Sequence, residues 1–265
     1  MESIDLSSNA RTAARLLCAA WRDGRHLAEL PPAHRPRSRA EGYAVQAAWA
    51  SERGQPVAGW KIAATSTAGQ QHIGVSGPLA GPVFADRVFG DGAEMSLATN
   101  RMRVAECEIV LRFGHSLAPR TQPYGRAEVL AALASVHPGI ELPDSRFMQF
   151  EQAGEAQLIA DAACTNDMLV GAAVPVDARV DALAQLAVQA EVSDGRRPTG
   201  VGANVLGDPV EALVWLVNEI TATGHALAAG QFVTTGACVP PIPVSPGDEV
   251  RADFGWLGRI SVRLR

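Results

Sequence analysis

The chain has 265 residues, 47% hydrophobic and 19% charged, which supplies apolar side chains for a large core and too little charge for a disordered chain. Its net charge of -5 comes without a basic run, so nucleic acid lacks the positive surface it needs, and 5% aromatics make no stacking platform. Cys18, Cys107, Cys164 and Cys238 form no Cys-x-x-Cys pair and suit a reducing cytoplasm. Residues 1–5 lack the basic and apolar regions of a signal peptide, and no apolar run approaches the roughly 20 residues of a membrane span.

Residues 1–56 predict a helical N-terminal region. Ser7 or Ser8 can cap a helix whose stripe is Ala13, Leu16, Leu17, Ala20 and Trp21, with Gly24 ending it. A connector rich in Pro and Arg follows, and then Ser38 and Glu41 form a capping box for a helix stopped by Gly54 and Pro56. From 57 to 265 the pattern changes to short strands and turns, a second, β-rich region. Residues 57–63 predict a strand with Ala58, Trp60 and Ile62 on one face. Lys61 lies on the other face between Gly59 and Ala63, which leaves room around it, although an exposed strand lysine has the same pattern. Residues 65–74 hold a helical turn, and 77–82 form a turn-rich connector before Val83-Phe84-Ala85-Asp86.

Residues 104–111 form the strand on which the chemistry turns. Alternation puts Glu106 and Glu108 on one face, roughly 6.5–7 Å apart at Cα, and Ala105, Cys107, Ile109 and Leu111 on the other. A bare Glu-x-Glu also suits a solvent-facing strand, but here the flanking face is apolar. A third carboxylate, Glu141, sits in another short apolar segment. Three carboxylates with no His or Cys cluster suit a hard divalent cation, Mg²⁺ or Mn²⁺. The chain continues with a helix over 127–136, in which His137 caps the end, a short strand carrying Glu141, a helix over 155–163 and a strand over 168–174. An alternating strand over 186–192 turns at Asp194-Gly195 into a hairpin. Asp208, Pro209 and Glu211 occupy N-cap, N1 and N3 of a helix with the stripe Leu213, Val214, Leu216, Val217 and Ile220, closed by Gly224. Strands over 231–235, 249–254 and 259–264 end the chain. Strands and helices do not alternate regularly, so an α+β class with a rolled or barrel-like mixed sheet is expected, not a doubly wound parallel one.

An ordered set of motifs, from about Ala40 onward, resembles the fumarylacetoacetate hydrolase superfamily, in its branch of 2-oxopent-4-enoate hydratases and 4-oxalocrotonate decarboxylases. The landmarks are Gly59-Trp60-Lys61-Ile62, Phe84-Ala85-Asp86, Glu106-Cys107-Glu108, Ile140-Glu141-Leu142-Pro143-Asp144-Ser145-Arg146, Leu169-Val170-Gly171, Gly207-Asp208-Pro209 and Val233-Thr234-Thr235-Gly236. The resemblance implies that Glu106, Glu108 and Glu141 hold Mg²⁺ or Mn²⁺, that Lys61 and Asp86 move protons, and that Thr235-Gly236 contact a substrate carboxylate. Arg146 and Asp161 join them as candidate substrate contacts: Arg146 for a carboxylate, or else to neutralise Asp144, and Asp161 for a water, or else as a turn cap. Ala85 and Ala162 depart from the branch, where Asp and Asn are usual.

The reaction implied is hydration of a 2-hydroxy-2,4-dienoate to a 4-hydroxy-2-oxo acid, as in the catabolism of aromatic compounds. Alternatives are decarboxylation of a 2-oxo diacid, hydrolysis of an acylpyruvate, or a non-catalytic partner subunit. The partners expected are a small 2-oxo acid, copies of the same chain in a homo-oligomer and a related enzyme of the same pathway, with no nucleic acid and no membrane.

Overall fold

The computed structural model describes residues 6–265. In chain order the elements are α1 Leu6–Arg22, α2 Arg39–Arg53, β1 Val57–Ala63, α3 Thr67–His72, β2 Leu79–Phe84, β3 Val88–Phe89, β4 Ala93–Met95, β5 Val104–Phe113, α4 Arg126–Ala131 and β6 Leu133–Leu142. There follow α5 Glu155–Ala160, β7 Asp167–Val170, β8 Val174–Pro175, β9 Ala187–Val192, β10 Thr199–Val201, α6 Pro209–Ala222, β11 Phe232–Ala237, β12 Ile242–Pro243, β13 Glu249–Asp253 and β14 Arg259–Leu264. One mixed sheet runs β2-β1-β11-β5-β6-β7-β3, with β12 paired to β5 and β8 to β6. A second runs β10-β9-β13-β14-β4. The pairs β1–β11, β3–β7 and β4–β14 are parallel, so the sheets are mixed, as expected for the α+β class.

β5 and α6 centre the core. Ala105, Cys107, Ile109 and Leu111 share a face of β5 and join a buried cluster with Leu213, Leu216, Val217 and Ile220 of α6. Removing each leucine from water is worth about 1.5–3 kcal/mol. Asp208 caps α6, its Oδ1 accepting from the Val210 N–H at 2.8 Å. The second sheet alternates as predicted: Val188, Ala190 and Val192 of β9 face the core while the residues between them face water. α1 and α2 pack together through Ala13, Ala14, Leu17, Val45 and Trp49, and this cluster also takes in Phe147 and Ala160. The N-cap of α1 lies outside the described residues, since α1 already includes Ser7 and Ser8. Only half of the expected box forms on α2. Ser38 Oγ accepts from the Glu41 N–H, but the Glu41 carboxylate accepts from the Arg37 N–H and not from Ser38.

The single strand expected over 168–174 is broken into β7 and β8, and two further expected elements differ. The stretch read as a connector contributes β2, antiparallel to β1, with Pro82 opposite Trp60. β2 lies at the end of the sheet's main path, where a missing N–H is tolerated. The helix expected over 127–136 stops at Ala131, and Leu133 already begins β6. Eight successive residues of β6, Ser135–Leu142, are buried, and pairing along all of β5 overrides the weak local helix preference. His137 is therefore a strand residue and not a helix cap. Pro138 fits because β8 pairs with 135–136 and β7 with 139–142, which leaves a gap on that side of the strand.

Candidate metal centre

The pairing of β5 with β6 assembles the acids. Glu106 and Glu141 are direct cross-strand partners, and Glu108 lies opposite Gly139. One carboxylate oxygen from each of Glu106, Glu108 and Glu141 lies within 4.8 Å of the other two. Glu108 is 1% exposed and Glu141 2%. The solvent-facing reading of the Glu-x-Glu strand is therefore excluded for Glu108, while Glu106 is half-buried and lines the cavity described below.

Neighbouring strands brace the trio. The ladder between β11 and β5 breaks between Thr234 and Ala237, and this irregularity turns two donors onto one oxygen. The Thr234 hydroxyl and the Gly236 N–H, the latter at 2.8 Å, both donate to Glu108 Oε2. Gly236 has φ +110°, and a Cβ there would sit 2.1 Å from Thr65 Oγ1, so only glycine fits. Lys61, the chain's only lysine, reaches in from β1. Its Nζ donates to the Ala163 carbonyl at 2.9 Å and lies 3.2 Å from Glu141 Oε1. That carbonyl is presented by a left-handed turn, with φ of 51°, 51° and 63° at Ala162, Ala163 and Cys164. Each costs roughly 1–2 kcal/mol for an L-residue. Asn tolerates this conformation better than the Ala found at 162. A Cβ on residue 81 would meet the Ala162 carbonyl oxygen at 2.0 Å, so Gly81 lets the turn pack on β2.

Burial pushes all three carboxyls up from the usual range. Glu108 moves furthest above it, because Glu141 and Glu106 repel its charge in addition. Glu141 is pushed up to about 7 by burial, against the opposing attraction of Lys61. For Lys61 burial works downward, but Glu141 and Glu106 outweigh it and raise the ammonium's pKa. Ionised, three carboxylates and one ammonium leave two negative charges uncompensated, which a divalent cation cancels. Glu108 Oε1 and Glu141 Oε2 are also buried without a hydrogen-bond partner. Such orphans are costly unless something unseen takes them up. An all-oxygen set of this kind fits Mg²⁺ or Mn²⁺. Beside it opens a cavity of about 750 Å³, lined by Lys61 and Glu106 and by apolar groups including Met102, Val104, Phe150, Ala237 and Val239.

Of the other expected site residues, Gly236 braces the trio, and none lines the cavity. Asp86 pairs with Arg53 at 2.5 Å, is 40% exposed at its side chain and does not line the cavity. The Arg146 side chain is 2% exposed and wholly engaged. Its Nε meets Asp161 Oδ1 at 2.5 Å, its other nitrogens donate to the Thr165 and Asp161 carbonyls, and Trp21 and Trp49 flank the guanidinium. It therefore neutralises Asp161, not Asp144, and neither Arg146 nor Asp161 lines the cavity. Thr235 Oγ1 donates to the Ile109 carbonyl, and Gly236 braces Glu108, so neither lines the cavity. The sequence reading missed Thr234 as a brace, because an irregular strand does not keep side-chain parity. It also missed the Ala163 carbonyl, because no side chain marks it.

A family model described as fumarylacetoacetate (FAA) hydrolase C-terminal matches residues 39–265. The 2-keto-4-pentenoate hydratase 1 of Dechloromonas aromatica (strain RCB) is 32% identical over 257 residues, covering 96% of each chain. A 4-oxalocrotonate decarboxylase of Pseudomonas sp is 32% identical over 211 residues, 79% of this chain and 79% of its own length. The solved structure of 4-oxalocrotonate decarboxylase from Pseudomonas putida G7, complexed with magnesium and adipate, aligns with a TM-score of 0.86 at 26% identity, covering 97% of this chain and 98% of that one. On the extent of these matches, the chain belongs to the fumarylacetoacetate hydrolase family.

Proposed function

We propose that the protein is a divalent-metal-dependent lyase that hydrates a 2-hydroxy-2,4-dienoate to a 4-hydroxy-2-oxo acid. The observation that carries the reading is the carboxylate trio with two buried, partnerless oxygens, beside a cavity that Glu106 lines. Relatives named as hydratases over nearly the whole chain support it. Glu106, Glu108 and Glu141 would hold Mg²⁺ or Mn²⁺, which supplies a Lewis acid for the C1 carboxylate and C2 oxygen of the substrate. Thr234 and Gly236 fix Glu108 in place, so the donor set is organised before substrate arrives. Of the three N–H groups on Lys61 Nζ, the Ala163 carbonyl and Glu141 take two, which leaves one for the substrate's C2 oxygen. There Lys61 holds or moves the proton as C5 is protonated and the dienol becomes a conjugated 2-oxo-3-enoate. Water then adds at C4, and C3 takes up a proton. Asp86, committed to Arg53, has no part in these steps.

Loss of dienol absorbance should require Mg²⁺ or Mn²⁺ and stop with a chelator; undiminished turnover in the chelator removes the metal from the reading. Lys61→Met is expected to lower kcat by roughly 10²–10⁴-fold. Mg²⁺ titration by calorimetry should persist in that variant, and near-normal turnover removes Lys61 from the mechanism.

The alignment with a decarboxylase structure favours a second reading. A polarised C2 oxygen also accepts the electron pair left by carbon dioxide departing from an unsaturated 2-oxo diacid. Release of carbon dioxide from 4-oxalocrotonate distinguishes the two. Turnover of neither substrate, with Mg²⁺ bound, would identify a non-catalytic partner subunit, to which the departures Ala85 and Ala162 point.

A further inference from the structure

The cavity beside the carboxylates is large for a five-carbon monoacid, and its polar groups are unevenly placed. Lys61 and Glu106 line it where the strands converge. Arg101 and Glu151 also line it, on the segments that precede β5 and α5. Among the described residues, the Arg101 guanidinium has no hydrogen bond and no ion pair. Its backbone is nevertheless held, because the Arg101 N–H donates to Asp144 Oδ1 at 2.9 Å and the Met102 N–H shares that oxygen at 3.2 Å. Asp144 follows Glu141 by three residues, so the segment bearing Arg101 is tied to the strand that carries the third acid. Arg101 precedes Glu106 by five residues, which limits their Cα separation to roughly 17 Å even fully extended. The left-handed φ of +47° at Arg103 keeps the path from full extension. Arg101 is solvent-exposed, and its guanidinium, lining a mostly apolar cavity without a partner among the described residues, matches a carboxylate, which it can take in two parallel hydrogen bonds. Glu151 on the same cavity makes no ion pair with it among the described residues and disfavours an anion placed there without discrimination.

We infer that Arg101 selects substrates with a second, distal carboxylate, so that the site takes 2-oxo diacids in preference to monoacids of the same length. This rests on the reading of a metal-bound 2-oxo acid head given above.

The test is calorimetric binding of two unreactive ligands to the Mg²⁺-loaded protein. 2-Oxoadipate and 2-oxohexanoate share chain length and head group and differ only in the distal carboxylate. The diacid should bind about tenfold tighter, the scale of one charge-assisted pairing near a surface. Arg101→Gln should bring the two within about twofold, Arg101→Lys should restore part of the difference, and Glu151→Gln should widen it. Equal binding by the unaltered protein, or a preference that survives Arg101→Gln, overturns the inference. A diacid preference that Arg101→Gln abolishes but that is indifferent to Mg²⁺ removal sinks the metal reading and leaves this one standing. Absence of binding by either ligand sinks both.

Discussion

Asp161 is 0% exposed, and its two oxygens accept from Ser145 Oγ, the Arg146 N–H and Arg146 Nε. Burial raises its pKa, and Arg146 opposes that shift without cancelling it. A buried pair so fully used is structural. Removing one partner strands a charge, so Asp161→Asn is expected to lower unfolding free energy by about 3–5 kcal/mol. Urea denaturation measures this. An Asp161→Asn protein of normal stability that has lost turnover would return Asp161 to the substrate. Lys61 shows the contrary case. Apart from six histidines, every other basic side chain is arginine, which cannot release its proton at accessible pH. The single amine side chain is buried among the acids, whose charge holds its proton, and on the proposed function that proton faces the substrate. The residue types of Lys61, Glu106, Glu108 and Glu141 were legible in the sequence. That Arg146 serves Asp161, and Asp86 serves Arg53, was not, because a charged residue beside a motif carries no mark of which distant partner claims it.

β6 shows what a strand adds beyond its sequence. His137 Nδ1 lies 2.9 Å from the Gly171 carbonyl and Nε2 lies 2.9 Å from Ser135 Oγ. Burial lowers its pKa from 6.5, and Arg112 adds to this. The folded chain therefore favours neutral His137 more than the unfolded chain does. That contribution is present above pH 6.5 and is lost as pH falls through the depressed folded value. The urea midpoint should fall more between pH 7.5 and 5.5 in the unaltered protein than in His137→Gln, where this group no longer titrates. Equal falls would show that His137 is not coupled to folding. The local reading of helix over 127–136 failed for the same reason that β6 matters. Residues 133–136 have little preference of their own, and pairing with β5 decides for strand. By contrast α6 was legible to its cap, because Asp208, Pro209 and Gly224 each encode a local backbone need.

For the molecule as a whole, the centre of the sheet is electrostatically incomplete without a cation. Saturating Mg²⁺ at about 100 times its Kd should add about 2.7 kcal/mol to folding stability. This raises Tm by roughly 5–10 °C at about 2–4 °C per kcal/mol. Glu108→Gln should abolish that rise and increase the Tm of the metal-free protein, since it removes a buried carboxyl whose ionisation burial and its two acidic neighbours oppose. A Tm indifferent to Mg²⁺, or a metal-free Glu108→Gln protein less stable than the parent, would count against a metal centre. The sequence by itself determined the strand bearing Glu106 and Glu108, the apolar alternation that buries it, α6, and the family through an ordered set of motifs. These depend on neighbours a few residues apart, whose spacing is written in the chain. Only the tertiary structure decided that Glu141 faces Glu106, that Thr234 and Gly236 grip Glu108, and that Arg101 shares a cavity with Lys61. Each of these is a meeting of segments far apart in sequence, set by strand register and by the irregularity in β11, and register is a property of the assembled sheet.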